Sequence, residues 1–122
     1  MEGLLLSDDL LFASRVIGTA HGLGLTIKAV RSPEAALAAA RDAPPALVLI
    51  DLANPGLVLE ELIAGLRSVC AVQPRLVAYG SHVHVAQLEA ARAAGCDPVL
   101  PRSRFVEELP RRLADWAKPP TS

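Results

Sequence analysis

The chain has 122 residues, room for one domain and one core at roughly 100–200 residues per domain. With 52% of residues hydrophobic and 20% charged, it is a folded globular domain, not a disordered tail. Twelve basic against thirteen acidic residues give a formal charge of −1, and aromatics make up 3%, so the sequence offers nucleic acid neither an attractive field nor a stacking platform.

In chain order, Met1-Glu2-Gly3-Leu4-Leu5-Leu6 has no positive region before its apolar run and meets acids at Asp8 and Asp9, which is not a signal-peptide pattern. Gly3–Ser7 reads as a strand, and Leu10, Ala13, Ile17 and Ala20 recur at helical spacing after it. Gly22 and Gly24 close that helix, and Leu25–Val30 reads as a second strand. Ser32 offers an N-cap oxygen, Pro33 suits the first helical position and Glu34 suits the positive end of the dipole, so a helix runs to Arg41. After Pro44-Pro45, Ala46–Ile50 is an unbroken apolar run, the mark of a central strand covered on both faces. The Asn54-Pro55-Gly56 turn leads to a helix through about Val69 carrying Leu59, Leu62, Ile63 and Leu66. A strand from Pro74 to Tyr79, a helix with Val85, Leu88 and Ala91 closing at Gly95, and a short strand at Pro98–Leu100 follow. The last helix carries Phe105, Leu109, Leu113 and Trp116, with Pro110 expected to kink it or mark its first turn. The domain spans 1–118, and 119–122 is a frayed tail. No run approaches the roughly 18 apolar residues of a membrane span, and the separated Cys70 and Cys96 suit buried thiols in a reducing cytoplasm.

Five strands alternating with five helices predict an α/β, doubly wound parallel sheet with helices on both faces. The strand order 2-1-3-4-5 sets the first and third strands side by side, with a crevice at their carboxyl ends. Asp8 and Asp9 after the first strand then converge with Asp51 at the end of the third. Clustered carboxylates repel one another unless a cation intervenes, and Mg²⁺ suits such an oxygen-lined site. Asp51 there has the chemistry of a phosphoryl nucleophile, with Arg102 as the neutralising cation. His82 and His84 lack a third ligand at matching spacing and read as surface residues.

Three stretches, Leu4–Phe12, Ala46–Gly56 and Ala93–Ser103, resemble the CheY-like receiver domain of bacterial two-component response regulators, over essentially the whole chain. The resemblance implies a flavodoxin-like fold and a cytoplasmic signalling domain that is not an enzyme. Asp51 falls at the phosphoacceptor position and Pro55 at the proline four residues on. The implied Mg²⁺ ligands are Asp8, Asp51 and the backbone carbonyl of Ala53, with Asp9 in the alternative register. The chain departs from the pattern at several places. In one register Ser7 and Asp8 hold the acidic-pair positions; in the other Asp8 and Asp9 do. Arg102 replaces a lysine, which changes the geometry of the cation. The hydroxyl position falls on Gly80, or on Ser81 one residue later, and Val99 stands where an aromatic switch ring is expected.

The implied partners are a histidine kinase or phosphotransfer protein, and an output protein in trans meeting the face of the fourth helix, fifth strand and last helix. A homodimer is left open; nucleic acid and membrane are not expected partners. The alternative is a phosphorylation-independent pseudo-receiver acting as a protein-interaction scaffold. An aspartate phosphohydrolase would place a second acid two residues after Asp51, where Ala53 stands. Within the crevice, Asp8 is expected to face Asp51 while Asp9 turns toward the first helix.

Overall fold

The computed structural model describes residues 2–118, so the tail expected at 119–122 lies outside the described residues. Strand and helix alternate throughout: β1 (Gly3–Leu6), α1 (Leu10–Gly22), β2 (Ile27–Val30), α2 (Pro33–Asp42), β3 (Leu47–Asp51), α3 (Leu59–Val69), β4 (Arg75–Gly80), α4 (Val85–Ala93), β5 (Val99–Pro101) and α5 (Arg102–Trp116). The strands form one parallel sheet in the order β2-β1-β3-β4-β5, as the sequence predicts. Among the described residues no helix is long and apolar enough to cross a membrane.

Every residue of β1 and β3 is buried, which is why neither strand alternates polar with apolar side chains. Their side chains split between two cores. Leu4, Leu6, Val48 and Ile50 point to the side packed by α2 and α3, while Leu5, Leu47 and Leu49 point to the side packed by α1 and α5. Cys70 and Cys96 are buried and free on the first of these sides.

Local signals set the helix starts. Ser32 Oγ accepts from Ala35 N–H at 3.1 Å, with Pro33 opening α2. Asp9 caps α1, accepting from Phe12 N–H at 3.0 Å. That cap fixes the rotation of α1, and it turns Leu10 outward to 61% exposure. The buried stripe of α1 is therefore Phe12, Ala13, Val16 and Ala20, not the expected stripe through Leu10 and Ile17. Val85, also expected inside, is exposed because it opens α4, whose buried residues are Leu88 and Ala91.

Phe105, Leu109, Leu113 and Trp116 line the inner face of α5, as expected. Pro110 does not mark its first turn: the helix starts eight residues earlier and runs through the proline. The ring removes the donor that would serve the carbonyl four residues back, and exposure of Pro110 leaves that carbonyl's side of the helix to solvent. Beside it, Glu108 is only 7% exposed and accepts from Arg104 Nε and from Arg112 Nη1, each at 2.7 Å. Arg112 first, and Arg104 with it, hold that carboxyl below its ordinary range.

Replacing Pro110 tests this account of α5. Pro110→Ala restores a helical donor at an exposed site, and should stabilise the fold by up to about 3 kcal/mol, read as a higher urea midpoint with an unchanged slope. A lower midpoint would show that the ring is required for packing.

Candidate functional site

The β1–β3 ladder pairs Leu6 with Ile50, so Ser7 and Asp51 emerge together at the carboxyl edge of the sheet. Asp51 is 6% exposed, and burial obliges its carboxylate to find donors. It has two. Ser7 Oγ donates to Oδ2 at 2.9 Å, and Ala53 N–H donates to Oδ1 at 2.9 Å. Ser7 Oγ in turn accepts from Asp9 N–H at 3.2 Å, which fixes the hydroxyl between the strand end and the start of α1.

Ser7, rather than Asp8, is the residue of the β1–α1 connection bonded to Asp51. Asp8 is exposed and joins no ion pair or side-chain hydrogen bond among the described residues. Asp9 turns toward α1, as its capping bond requires, and its Oδ2 takes Arg102 Nη2 at 3.0 Å. The Arg102 guanidinium also lies over the Phe12 ring, 4.1 Å from its centroid, an arrangement that favours a planar cation. The cation at the end of β5 is thus bonded to Asp9 instead of Asp51. Among the described residues no group of three or more His, Cys, Asp or Glu side chains could hold a metal ion.

A cleft of about 280 Å³ opens on Asp51, lined by Ala53, Gly80, Ser81, His82, Arg102 and Ser103 among others. Arg102 also borders a second cleft of about 300 Å³ with Asp9, Leu11, Phe12 and Arg15, so its side chain stands between the two. Gly80 ends β4 opposite Pro101. A side-chain carbon there would sit 3.4 Å from Leu52 and 3.5 Å from Gln87 Oε1, an ordinary contact, so the site does not demand glycine. Ser81 follows in the loop and lines the cleft, its Oγ accepting from Val83 N–H at 3.4 Å. His82 lines the same cleft and His84 precedes α4; both are exposed. Val99 is buried against Ala78.

Tyr79 was missed as a site residue. The β3–β4 register pairs it directly with Asp51, and its ring turns to the α1 and α5 side, 5.2 Å from Phe12 and 4.4 Å from Phe105. Its hydroxyl is buried with no hydrogen-bond partner. Burial first, then the Asp51 charge, pushes the phenol well above the ordinary tyrosine range, and the Ser7 hydroxyl opposes that shift. The signal in the sequence was a single tyrosine ending an apolar strand; only the register attaches it to Asp51.

The fold has many solved counterparts. The receiver domain of NtrX from Brucella abortus superposes with a TM-score of 0.80 at 20% identity, covering 95% of this chain and 97% of that one. The receiver domain of NarL from Mycobacterium tuberculosis gives 0.77 at 22% identity, over 95% and 94% of the two chains. A co-crystal of a Saccharomyces cerevisiae histidine phosphotransfer protein with the receiver domain of its downstream response regulator gives 0.79 at 15% identity, over 96% and 88%. The chain therefore has the receiver fold. Its sequence matches no protein-family model and no curated protein.

Two measurements test this geometry. The Phe12 N–H first, and Arg102 second, hold the Asp9 carboxyl below its ordinary value of 3.8. A folded value below the unfolded one stabilises fully above the ordinary value and loses that contribution as pH falls through the folded value. Carboxyl NMR should therefore give an Asp9 midpoint below 3.8, and Arg102→Ala should raise it part of the way; an unmoved midpoint would contradict the pairing. Tyr79→Phe deletes a buried hydroxyl without a partner, and should raise stability by about 1 kcal/mol, measured by denaturant titration.

Proposed function

We propose that this chain is a receiver-type signalling module that works through protein contact, with Asp51 held as a structural carboxylate and not used as a phosphoryl acceptor. The observation that carries this reading is the Ser7–Asp51 hydrogen bond. Transfer to a carboxylate needs cations facing the phosphoryl oxygens. The arginine that lines the Asp51 cleft, Arg102, is bonded to Asp9 and lies over Phe12.

The residues do not fit a resident Mg²⁺. Each Asp51 oxygen already accepts a hydrogen bond, and both Asp9 oxygens have partners. Asp8 is exposed and not bonded to Asp51, so the Asp51 charge stands without a second carboxylate beside it, too little to hold a strongly hydrated ion. Loss of one electrostatic contact typically costs 10²–10³ in rate, and here the metal and the cation facing Asp51 are both weakened. The partner is then a protein recognised by shape and charge, and the α4–β5–α5 face is the surface we assign to it.

A second reading keeps Asp51 as the phosphoacceptor for a histidine kinase or phosphotransfer protein. The cleft beside Asp51, with Ser81, Arg102 and Ser103 at its wall, favours it.

Intact-mass measurement after incubation with acetyl phosphate and Mg²⁺ separates the two. The expected result is an unchanged mass; rapid gain of one phosphoryl group, absent from Asp51→Asn, would establish the second reading. Ser7→Asp provides a further check. It sets a second carboxylate against Asp51, so Mg²⁺ should raise the Tm of this variant while leaving that of the unaltered protein in place. A Mg²⁺-dependent Tm in the unaltered protein would refute the metal-free account.

A further inference from the structure

The chain has two phenylalanines, one tyrosine and one tryptophan, and all four rings form one connected cluster, with Phe12 tilted against both Tyr79 and Phe105. Phe12 packs on Tyr79, Tyr79 stacks on Phe105 at 4.4 Å and 25°, and Phe105 stacks on Trp116 at 6.0 Å and 14°. An arginine of α5 closes each end, Arg102 over Phe12 at 4.1 Å and Arg112 over Trp116 at 5.4 Å. Tyr79 is the one ring of the four that the sheet register also sets beside Asp51.

We propose that Tyr79 is a relay: it responds to the donor that Asp51 holds and passes the change through Phe105 to Trp116 and the end of α5. The proposal rests on the reading of Asp51 as a carboxylate governed by its hydrogen bonds. In the state described, Ser7 satisfies Asp51 and the Tyr79 hydroxyl has no partner. If Ser7 is withdrawn, Asp51 Oδ2 lacks a donor, Oδ1 keeping its bond from the Ala53 N–H, and the phenol lacks an acceptor; a buried group in either condition is costly. One movement of the phenol toward Asp51 relieves both. The ring cannot make it alone, because close-packed faces transmit displacement to their neighbours.

The route by which Ser7 is withdrawn is also present. Its Oγ is held by Asp9 N–H, and the Asp9 side chain is held by Arg102. An anionic group of a partner that draws Arg102 away leaves the Asp9 side chain on its capping bond to Phe12 alone, and a shift of Asp9 passes to Ser7 through the Asp9 N–H. The relay thus alternates between the observed arrangement, Ser7 on Asp51, and a proposed one, Tyr79 on Asp51, the pair of states that coupling between distant surfaces requires.

Trp116 is the only tryptophan, so its fluorescence reports the far end of the stack without a label. Emission is compared for the unaltered protein, Ser7→Ala, Tyr79→Phe and the double variant, with near-UV circular dichroism in parallel. The Phe substitution keeps the ring and its stacking and removes only the hydroxyl. The expected result is that Ser7→Ala shifts Trp116 emission when Tyr79 is present and that the shift is lost in the Tyr79→Phe background. An unmoved signal in Ser7→Ala, or an equal shift in both backgrounds, overturns the relay. Should Ser7→Ala fail to fold, Asp51→Asn changes the same hydrogen bond from the other side and is judged by the same comparison. The acetyl phosphate experiment reads mass at Asp51 and does not involve Tyr79, so failure of the metal-free reading and failure of the relay are separate outcomes.

Discussion

The parallel ladder between β1 and β3 matches Leu6 with Ile50, so the next residue on each strand, Ser7 and Asp51, leaves the sheet at the same height on the same edge. Forty-four positions of chain separate the two, and they become hydrogen-bonded neighbours because α1 carries the chain out to the edge strand β2 over one face of the sheet and α2 brings it back to β3 over the other. Both strands are buried on both sides. A polar side chain at either end therefore meets a protein partner or remains unsatisfied. Ser7 and Asp51 satisfy each other, and the rest of the site is arranged around that bond: Ala53 N–H on the second carboxylate oxygen, Asp9 N–H on the serine oxygen, Arg102 on Asp9.

Electrostatically, the crevice is divided into separate balanced units. Asp51 is met by dipoles, from a hydroxyl and a peptide N–H. Asp9 is met by a helix terminus and by a guanidinium that also rests on an aromatic face. Arg102 stands between the two clefts, and it is the group through which a charge arriving from solvent would disturb both. The same principle recurs on α5, where Glu108 is satisfied by one arginine a turn before it and another a turn after.

Much of the fold was legible in the sequence because its signals are local. Ser32-Pro33-Glu34 specifies a helix start by chemistry contained in three residues, and Ala46–Ile50 announces a doubly covered strand by having no polar interruption. The faces of α1 and α4 were less legible. Leu10 and Val85 look like core residues by type, but each opens its helix, where rotation is set by the N-terminal residue and not by hydrophobicity. Pro110 misled for a related reason: its intrinsic penalty was overridden by the inner face of Phe105, Leu109, Leu113 and Trp116. At the site, Asp51 was visible as an acid closing an apolar run. Its bond to Ser7 and its lateral pairing with Tyr79 were not visible, since both depend on strand register, and a shift of one residue exchanges one neighbour for the next.

Separating Asp51 and Arg102 into independent partnerships has an evolutionary consequence. Where one cation and one carboxylate depend directly on each other, a change in either strands the other, and the two must change together. Here Asp51 keeps its bond from the Ala53 N–H whatever stands at position 102, and Asp9 can serve Arg102 whatever stands at position 51. A change at position 102 therefore does not leave the buried Asp51 without any donor, and a change at position 51 does not leave Arg102 without its carboxylate. A scaffold built in this way can lose or regain a chemical activity one residue at a time while remaining folded throughout.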